Sequence, residues 1–467
     1  MNFHSAQFGV FMLVTLSLYW ATARRPIVRL AVLLVASQYF YANWGLRFLP
    51  LLWFSTLLDY TCGGAIARSD DPRKRKLFLL AAIMGNIGLL GFFKYWDWLA
   101  GGLKLLLGHF GVASPLPVLG ITTPVGISFY TFGTLSYSID NYRRQIKPAR
   151  NLRDFAVFVS FFPHLVAGPI LRAAQFLPQL EHPPTLDVPR LRSSLYRIGL
   201  GLAKKVVLSD TLARLVVDPV YADPGQYTAA MHLLAAECFV VEVFFDFSAY
   251  CDIAIGSARL FGFELPENFD LPYQARGVRD FWRRWHMTLS TWLRDYVYFP
   301  LGGSRAPEPR VWFNLIVSMV LIGIWHGATV PWAIMGLLQG LAMCFERLFE
   351  RMRGGRPFDT TPARKLLSWF LTLQFVVLSY VFARSQSLDH LVSVWTDFGS
   401  VGSVSPWVWV VLAVSAPGLF LPRRVLDGAR DAVLALPTPV IGVALGIVIG
   451  VVSALNVGDT PYFYFQF

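Results

Sequence analysis

Charged side chains are scarce in this chain. Only 15% of its 467 residues are Asp, Glu, Lys or Arg, whereas 55% are apolar. Soluble domains carry roughly 25% charged residues, which they need to cover a water-facing surface. The composition therefore excludes a single soluble globule, a nucleic-acid-binding module and a disordered chain, and it indicates a multi-pass membrane protein.

The length bounds the number of membrane crossings. A helix needs about 20 apolar residues to cross a bilayer, so the chain has room for about ten to twelve crossings with short connections. We therefore predict an all-α polytopic fold. No internal repeat is visible, which disfavours a transporter built from inverted repeats.

Cysteine is also rare. The four cysteines lie in apolar stretches without paired or metal-like spacing, which predicts buried thiols and no disulfide framework: Cys62, Cys238, Cys251 and Cys344. No basic segment precedes the first apolar run, so we expect no cleavable signal peptide there.

Basic residues outnumber acidic ones by 41 to 29, for a net charge of +12. They concentrate in alternate loops between the apolar runs, as the positive-inside rule describes for cytoplasmic loops. This pattern predicts an N-terminus outside the cytoplasm, and the basic-rich loops lie near residues 24–29, 68–76, 143–153, 347–365 and 423–430.

The middle of the chain is less regular than its ends. Proline, glycine and charge interrupt the apolar segments near residues 155–162, 195–217 and 231–260. Irregular or charged backbone at membrane depth occurs only inside protein or beside a wet cavity. We predict one membrane-embedded domain, 1–467, with N-terminal helices in 1–145, a catalytic core in 150–345 and C-terminal helices in 366–467.

The segment FWRRWHMTLSTWLRDYVYFPLGG, residues 281–303, is rich in tryptophan and arginine. On a single helix its tryptophans share one face, with His286 at the edge of that face. This arrangement predicts a helix that lies in the membrane interface or dips into the protein. A plain amphipathic surface helix with a packed histidine is the alternative.

Residues 311–345 carry no charge. One helix of this length would extend about 50 Å, more than a bilayer core needs. Gly327 and Pro331 indicate a break, so the segment is either a tight hairpin or a broken crossing with His326 near mid-membrane. Such a histidine often only hydrogen-bonds a neighbouring helix, but a neutral imidazole inside a membrane protein is also suited to act as a general base.

Three further polar positions stand out in the middle of the chain. Asp246 lies in an apolar run, where we favour a structural carboxylate paired with an arginine. Asn268 lies in a predicted loop before Pro272-Tyr273. The proline-bracketed segment 162–169 cannot be a regular helix; it indicates a re-entrant element in which His164 lines or caps a cavity.

Familiar catalytic motifs are absent from the sequence: there is no P-loop, dinucleotide fingerprint, zincin helix or nucleophile elbow. His286 and His326 lack the spacing of zinc ligands on one helix. Deprotonation of a hydroxyl that attacks an activated acyl group needs one base, an oxyanion donor and exclusion of water, and this class fits the residues best.

Several segments together resemble the membrane-bound O-acyltransferase family, in particular its bacterial alginate O-acetyltransferase-like branch. The two long blocks are residues 281–303 and IGIWHGATVPWAIMGLLQG at 322–340. Shorter ones are PVGISFYTFGTLSYSIDNYR at 124–143, FFPHLVAGPILR at 161–172, FFDFSAYCDIAIGSARLFGFELPENFDLPY at 244–273, and PYFYFQF at 461–467. Ala249 and Cys251 depart from the expected Gly and Ser, and Arg276-Gly277 interrupts the run before the Trp/Arg block.

The resemblance implies a catalytic histidine at His326 and a second signature histidine at His286. It also implies a multi-helix body with re-entrant or interfacial helices around a central funnel, in the bacterial cytoplasmic (inner) membrane. Candidate substrate-binding residues are Trp325, Asn268, Asp246, Arg283 and Arg284, and no bound metal or cofactor is expected.

By the same resemblance the acyl donor is cytoplasmic acetyl-CoA. The acyl group passes across the membrane to an extracytoplasmic acetyltransferase- or esterase-like partner, which esterifies an exported polysaccharide such as alginate. Nucleic acid is not an expected partner. Two alternatives stay open: D-alanyl transfer to teichoic acid, and a polytopic transporter or flippase.

Overall fold

The computed structural model describes residues 1–356, 358–455 and 462 of the chain. Within these residues there is no β-strand, only an isolated bridge between Tyr227 and Val401. The all-α fold class is thus confirmed. The chain divides into two compact units, residues 1–194 with 253–266, and residues 195–252 with 267–467. The predicted division of a single domain into three regions stays a prediction.

The first unit contains the N-terminal helices, which are α1 (Ala6–Ala21), α2 (Pro26–Ala42), α3 (Leu49–Arg68), α4 (Pro72–Leu90), α5 (Trp96–His109), α6 (Ile127–Tyr142), α7 (Leu152–Ser160), α8 (Phe162–Leu165) and α9 (Ala173–Phe176). A π-helical turn at Gly91–Tyr95 joins α4 to α5, so that helical structure is continuous over 38 residues, Pro72–His109.

The remaining helices are α10 (Val188–Ala203), α11 (Asp210–Leu212), α12 (Asp218–Ala222), α13 (Ala229–Leu260), α14 (Val278–Arg284), α15 (Met287–Leu293), α16 (Glu308–His326), α17 (Val330–Met352), α18 (Pro362–Arg384), α19 (Leu388–Thr396), α20 (Pro406–Phe420), α21 (Arg423–Ala435) and α22 (Thr438–Leu455). Helices α10 and α13 contribute residues to both units, and the others belong to the second.

Local sequence signals set several helix starts. The Ser5 side chain accepts from the backbone N–H of Phe8 at 3.2 Å and caps α1. Asp71 caps α4 in the same way, with Pro72 in the first position of the helix. Such polar caps satisfy backbone donors that lack a helical partner, and proline needs no donor in the first turn.

A polar cluster lies inside the first unit among α3, α4 and α6. The Asp59 carboxylate is fully buried and accepts from the side-chain amide of Asn86 at 2.5 Å and from the Ser138 hydroxyl. The Ser55 hydroxyl in turn donates to the Asn86 side-chain oxygen at 2.5 Å. Each side chain in this cluster therefore has a hydrogen-bond partner, as buried polar groups require.

Four helical segments among the described residues are long and apolar enough to cross a membrane: Pro72–His109, α16, α17 and α18. A fifth arises if α20 and α21, which meet at 105°, form one broken span. Shorter apolar helices occur at Ala6–Ala21, Pro26–Ala42 and Thr438–Val451. The count of about ten to twelve crossings stays a prediction.

The irregular middle is only partly as expected. Residues 231–260 belong to one unbroken helix, α13, so irregularity was wrongly predicted there. Residues 195–217 do depart from α-helix, with π-helical stretches at Lys204–Ser209 and Ala213–Val217. In the segment 162–169 a single helical turn, α8, is followed by non-helical backbone. Buried His164 donates from Nε2 to the Phe158 carbonyl at 3.1 Å.

All four cysteines are buried and free, which confirms the prediction of buried thiols.

Candidate active site

His326 ends helix α16, at the turn of a helical hairpin. The charge-free segment of residues 311–345 folds as two helices, α16 and α17, separated by residues 327–329. The break occurs where Gly327 and Pro331 predicted it. Of the two predicted arrangements the hairpin is correct, so His326 lies at the turn and not halfway along one broken crossing.

Glycines bring the two helices of this hairpin into close contact. A Cβ atom on Gly323 would lie 2.1 Å from the Trp332 carbonyl oxygen, and one on Gly336 would lie 2.3 Å from the Met319 carbonyl oxygen. Side chains larger than hydrogen would overlap the facing backbone. The position of His326 therefore depends on small residues along both helices.

Trp332 covers one face of the His326 ring. The two rings stack at 5.2 Å between centroids with an interplanar angle of 21°. Gly327 makes room for this stack, since a Cβ there would lie 2.1 Å from Trp332 Cδ1. Trp325 meets the same histidine edge-on at 4.8 Å. His326 is thus held between two indoles. The sequence analysis did not single out Trp332, although this residue lies in the block at 322–340.

The tryptophan- and arginine-rich block is not one helix, so that prediction was wrong. Helix α14 ends at Arg284, Trp285 is extended, and His286 has the left-handed backbone angle φ = +42° before α15 begins. The apolar side chains of the block are nevertheless buried within the protein, as expected for a segment that dips into the protein. They are Trp282, Trp285, Leu289, Trp292, Leu293 and Tyr296.

Asn268 holds the backbone around His286. Its side-chain oxygen accepts from the Thr288 N–H at 3.1 Å and from the Thr288 hydroxyl at 2.9 Å. Its own carbonyl accepts from the Met287 N–H at 3.0 Å. A left-handed conformation is costly for a residue other than glycine and persists only when its surroundings enforce it. The loop residue Asn268 is therefore placed as a support for His286.

The two histidines of the long sequence blocks lie together. Their ring centroids are 6.0 Å apart. On its other sides His286 meets Phe247 of α13 edge-on at 4.7 Å and Trp325 at 5.8 Å. The predicted site residues His286, His326, Trp325 and Asn268 therefore form one group within the second unit.

The two histidines differ in accessibility. The exposed fraction is 0% for His286 and 9% for His326, so both are buried and His326 is slightly the more accessible of the two. His286 lies outside the long apolar helices. Burial, and to a lesser extent the neighbouring His326 ring, lowers the pKa of His286 well below its usual value, because an apolar setting disfavours the charged form. His286 is accordingly a neutral imidazole at physiological pH.

Asp246 belongs to a buried charge cluster. It accepts from the Lys205 ammonium at 2.7 Å, and Lys205 also pairs with Asp210 at 2.9 Å. Its partner is therefore a lysine and not the arginine that we favoured. The Lys205 ammonium also lies 4.5 Å from the centre of the Tyr462 ring. The other residues of the predicted C-terminal block 461–467 lie outside the described part of the chain.

The sequence analysis missed Lys205 and Asp210. Their signal was a charged pair of lysines at 204 and 205 inside an otherwise apolar run. A buried cation of this kind requires a carboxylate partner. Asp210 is only five residues from Lys205, whereas Asp246 lies on α13 and could not be chosen from the sequence.

The arginines before His286 lie at the protein surface. Arg284 donates to the Asp280 carboxylate at 2.9 Å and to the Asp270 carbonyl at 3.3 Å. Arg283 is exposed. Arg276 pairs with Asp359, which lies between α17 and α18. Arg279 pairs with Glu346 and Glu350 of α17. Most of this cluster is thus neutralised locally, and substrate binding by Arg283 and Arg284 stays a prediction.

Comparison with known proteins identifies the family. Residues 127–382 match the family described as "MBOAT, membrane-bound O-acyltransferase family". The chain belongs to this family. The match includes both histidines and the whole α16–α17 hairpin.

Three curated relatives cover most of the chain. A "Probable alginate O-acetylase AlgI" of Pseudomonas putida is 35% identical over 98% of this chain and 98% of its own length. The protein of the same name from Pseudomonas aeruginosa is 36% identical over 85% of this chain and 74% of its own length. A "Peptidoglycan O-acetyltransferase" of Helicobacter pylori is 33% identical over 82% of this chain and 76% of its own length. This membrane acyltransferase therefore lies in the alginate O-acetyltransferase-like branch of the family.

Proposed function

We propose that this acyltransferase takes an acetyl group from cytoplasmic acetyl-CoA and passes it across the bacterial inner membrane for O-acetylation of an exported polysaccharide such as alginate. An extracytoplasmic esterase-like partner completes the transfer. About ten to twelve membrane crossings surround the route of the acyl group. The names of the relatives support a polysaccharide O-acetyltransferase, since alginate and peptidoglycan are both glycan polymers.

The observation that carries the proposal is the pairing of His286 and His326. The two residues are 40 positions apart in sequence, yet their rings lie 6.0 Å apart between two indoles and a phenyl ring. Such an enclosure excludes water, which would otherwise hydrolyse an activated acyl group. Of the two histidines, His326 is the more accessible to a substrate hydroxyl, with 9% of the residue exposed against 0% for His286.

In the proposed reaction His326 acts as the general base. It accepts the proton of the acceptor hydroxyl while the hydroxyl oxygen attacks the thioester carbonyl carbon. The new C–O bond forms, the C–S bond breaks, and the proton passes from His326 to the departing thiolate of coenzyme A. A general base of this kind contributes about 10²- to 10⁴-fold to the rate.

His286 has a different role in this scheme. Because burial keeps its ring neutral, it does not supply a positive charge to the developing oxyanion. A neutral imidazole can still donate one hydrogen bond, which positions the thioester or stabilises the oxyanion. Full activity of a His286→Ala variant would remove this role and leave that of His326 intact.

The test uses a strain that lacks the chromosomal copy. His326→Ala should be inserted in the membrane at the normal amount but should leave the exported polysaccharide without ester. His390→Ala is the matched control: this histidine hydrogen-bonds the Tyr221 carbonyl outside the site and should leave the ester content unchanged. Unchanged ester in the His326→Ala strain would refute the proposal.

Two further measurements separate the alternatives. Mass analysis of the group released by mild base distinguishes acetyl from D-alanyl on the polymer. Consumption of acetyl-CoA by proteoliposomes that depends on His326 supports acyl transfer. Substrate flux without thioester consumption would instead support a transporter or flippase.

A further inference from the structure

An apolar groove runs along the outside of the first unit between α1 and α2. Its volume is about 840 Å³, within the usual range for small-molecule sites. From α1 it is lined by Val10, Val14 and Leu18, which are spaced by one helical turn, and α2 contributes Val28, Val32, Val35 and Tyr39. Several of these side chains are more than half exposed, so the helices do not cover the groove themselves.

The dimensions of the groove match an alkyl chain. From Gln7 to Leu18 it follows about 16 Å of helix α1, close to half of the roughly 30 Å hydrocarbon core, which is the depth of one leaflet. A groove of this length with an apolar lining fits one acyl chain of a phospholipid in a single leaflet.

Three arginines lie where the groove ends at the turn between the two helices. Arg24 and Arg25 are exposed in the turn; Arg24 follows the lining residue Leu18 by six positions, and Arg25 precedes the lining residue Val28 by three. Arg29 is buried beneath them, with its guanidinium 5.7 Å from the Tyr19 ring and a contact of 3.4 Å to the Ala23 carbonyl. Its Nε has no hydrogen-bond partner among the described residues.

Among the described residues, no carboxylate neutralises these arginines. The ion pairs of the described residues include none with Arg24, Arg25 or Arg29. A buried cation without an anionic partner is costly, and an anion at the turn would lower that cost. The positive-inside rule places this turn at the cytoplasmic surface, where anionic phospholipids concentrate.

We propose that the α1–α2 groove binds an anionic phospholipid of the cytoplasmic leaflet, with its phosphate at Arg24 and Arg25 and an acyl chain along the groove. The lipid neutralises the arginine turn and covers the apolar walls, and it thereby anchors the first helix pair at a defined depth. This site is separate from the chemistry assigned to His326 and does not depend on it.

Photo-crosslinking tests the proposal on the full chain. The protein is reconstituted into phosphatidylcholine vesicles that contain a phosphatidylglycerol with a diazirine in its acyl chain, and labelled peptides are identified by mass spectrometry. A phosphatidylcholine with the same diazirine chain serves as the zwitterionic comparison. We expect α1 and α2 to be labelled roughly 25-fold more by the anionic probe, since each of the two surface arginines contributes about a factor of five.

Matched charge variants identify the phosphate contact. Arg24→Gln/Arg25→Gln should reduce anionic labelling of α1 and α2 to the zwitterionic level. Arg73→Gln/Lys74→Gln makes the same charge change at another exposed basic site, the first turn of α4, and should leave this labelling intact. Ala36→Phe, within the groove, should reduce labelling by both probes.

Three outcomes would overturn the proposal. Equal labelling by both probes in the unmodified chain would show an unselective lipid surface. Loss of labelling with the Arg73→Gln/Lys74→Gln control would show a general charge effect. Loss of labelling in the presence of soluble inorganic phosphate or glycerol phosphate would show that the turn binds free phosphate and that the groove adds no affinity. An anionic lipid site should resist such competition, because the alkyl chain of the lipid stays buried.

Discussion

At the scale of single residues, the arrangement of the site depends on side chains that are not chemically active themselves. Asn268 satisfies two donors of Thr288 and the backbone N–H of Met287, the two residues that directly follow His286. Trp332 lies flat on His326 because Gly327 has no side chain. These contacts orient the two imidazoles before any substrate binds.

Replacement of Asn268 tests this support. In Asn268→Ala the buried N–H and hydroxyl of Thr288 lose their acceptor, which costs about 1–3 kcal/mol for each donor left unsatisfied. We expect a lower unfolding midpoint in detergent and a loss of acetyl transfer at temperatures where the variant is still folded, because His286 is no longer held. Thermal unfolding and ester formation are the two measurements.

A matched control makes the same change at Asn43, whose side chain is exposed and hydrogen-bonds the Tyr39 carbonyl within its own helix end. Asn43→Ala should alter the free energy of unfolding by no more than about 0.5 kcal/mol. If Asn268→Ala behaved like Asn43→Ala in both measurements, Asn268 would not position His286.

At the scale of helices, the α16–α17 hairpin determines where His326 lies. Gly323, Gly336 and Gly340 face backbone atoms of the opposite helix at distances that no other residue permits without movement. Glycine costs about 0.5–1 kcal/mol relative to alanine inside a helix. In the hairpin, the close packing of the two apolar helices offsets this loss of helix propensity.

Gly336→Ala should therefore be destabilising although alanine favours helix. Its Cβ would lie 2.3 Å from the Met319 carbonyl oxygen, and such overpacking costs about 1–3 kcal/mol. We expect a lower unfolding midpoint together with reduced acetyl transfer, because separation of the helices moves His326 away from His286.

Gly442→Ala provides the reference for helix propensity. Gly442 lies in α22, and a Cβ there meets no atom within 4 Å. This variant should be neutral or more stable by up to about 1 kcal/mol. Equal stability of Gly336→Ala and Gly442→Ala would refute close packing at the hairpin.

At the scale of the whole molecule, charge distribution predicts which loops face the cytoplasm. The excess of 12 positive charges lies largely in the turns between helices, where it orients the chain in the membrane. Helical structure is continuous from Pro72 to His109, about 57 Å if straight. Its two ends are therefore predicted to lie on opposite sides of the bilayer.

Cysteine labelling tests this topology, and the four native thiols are all buried, which keeps the background low. Lys74→Cys should react with a membrane-impermeant maleimide only after the cells are permeabilised. Ala113→Cys, just beyond the far end of the same helical segment, should react in intact cells. Both positions are exposed, so labelling of the two from the same side would contradict the predicted orientation.

The sequence by itself determined much about this protein. Composition was sufficient to indicate a membrane protein, because few charges cannot cover a water-facing surface. The motif blocks were sufficient to identify the family, and Gly327 with Pro331 located the break after His326, since both residues act on the local backbone. The four buried thiols followed from their apolar surroundings.

Only the tertiary structure decided how the blocks meet. The Trp/Arg block has helical periodicity, yet it breaks at His286, because hydrogen bonds accepted by Asn268 hold a left-handed backbone that no local preference favours. The partner of Asp246 is Lys205 of a distant segment, and the cover of His326 is Trp332 across a turn. None of these contacts could be predicted from the spacing of the residues in the sequence. They are defined only by how the helices pack.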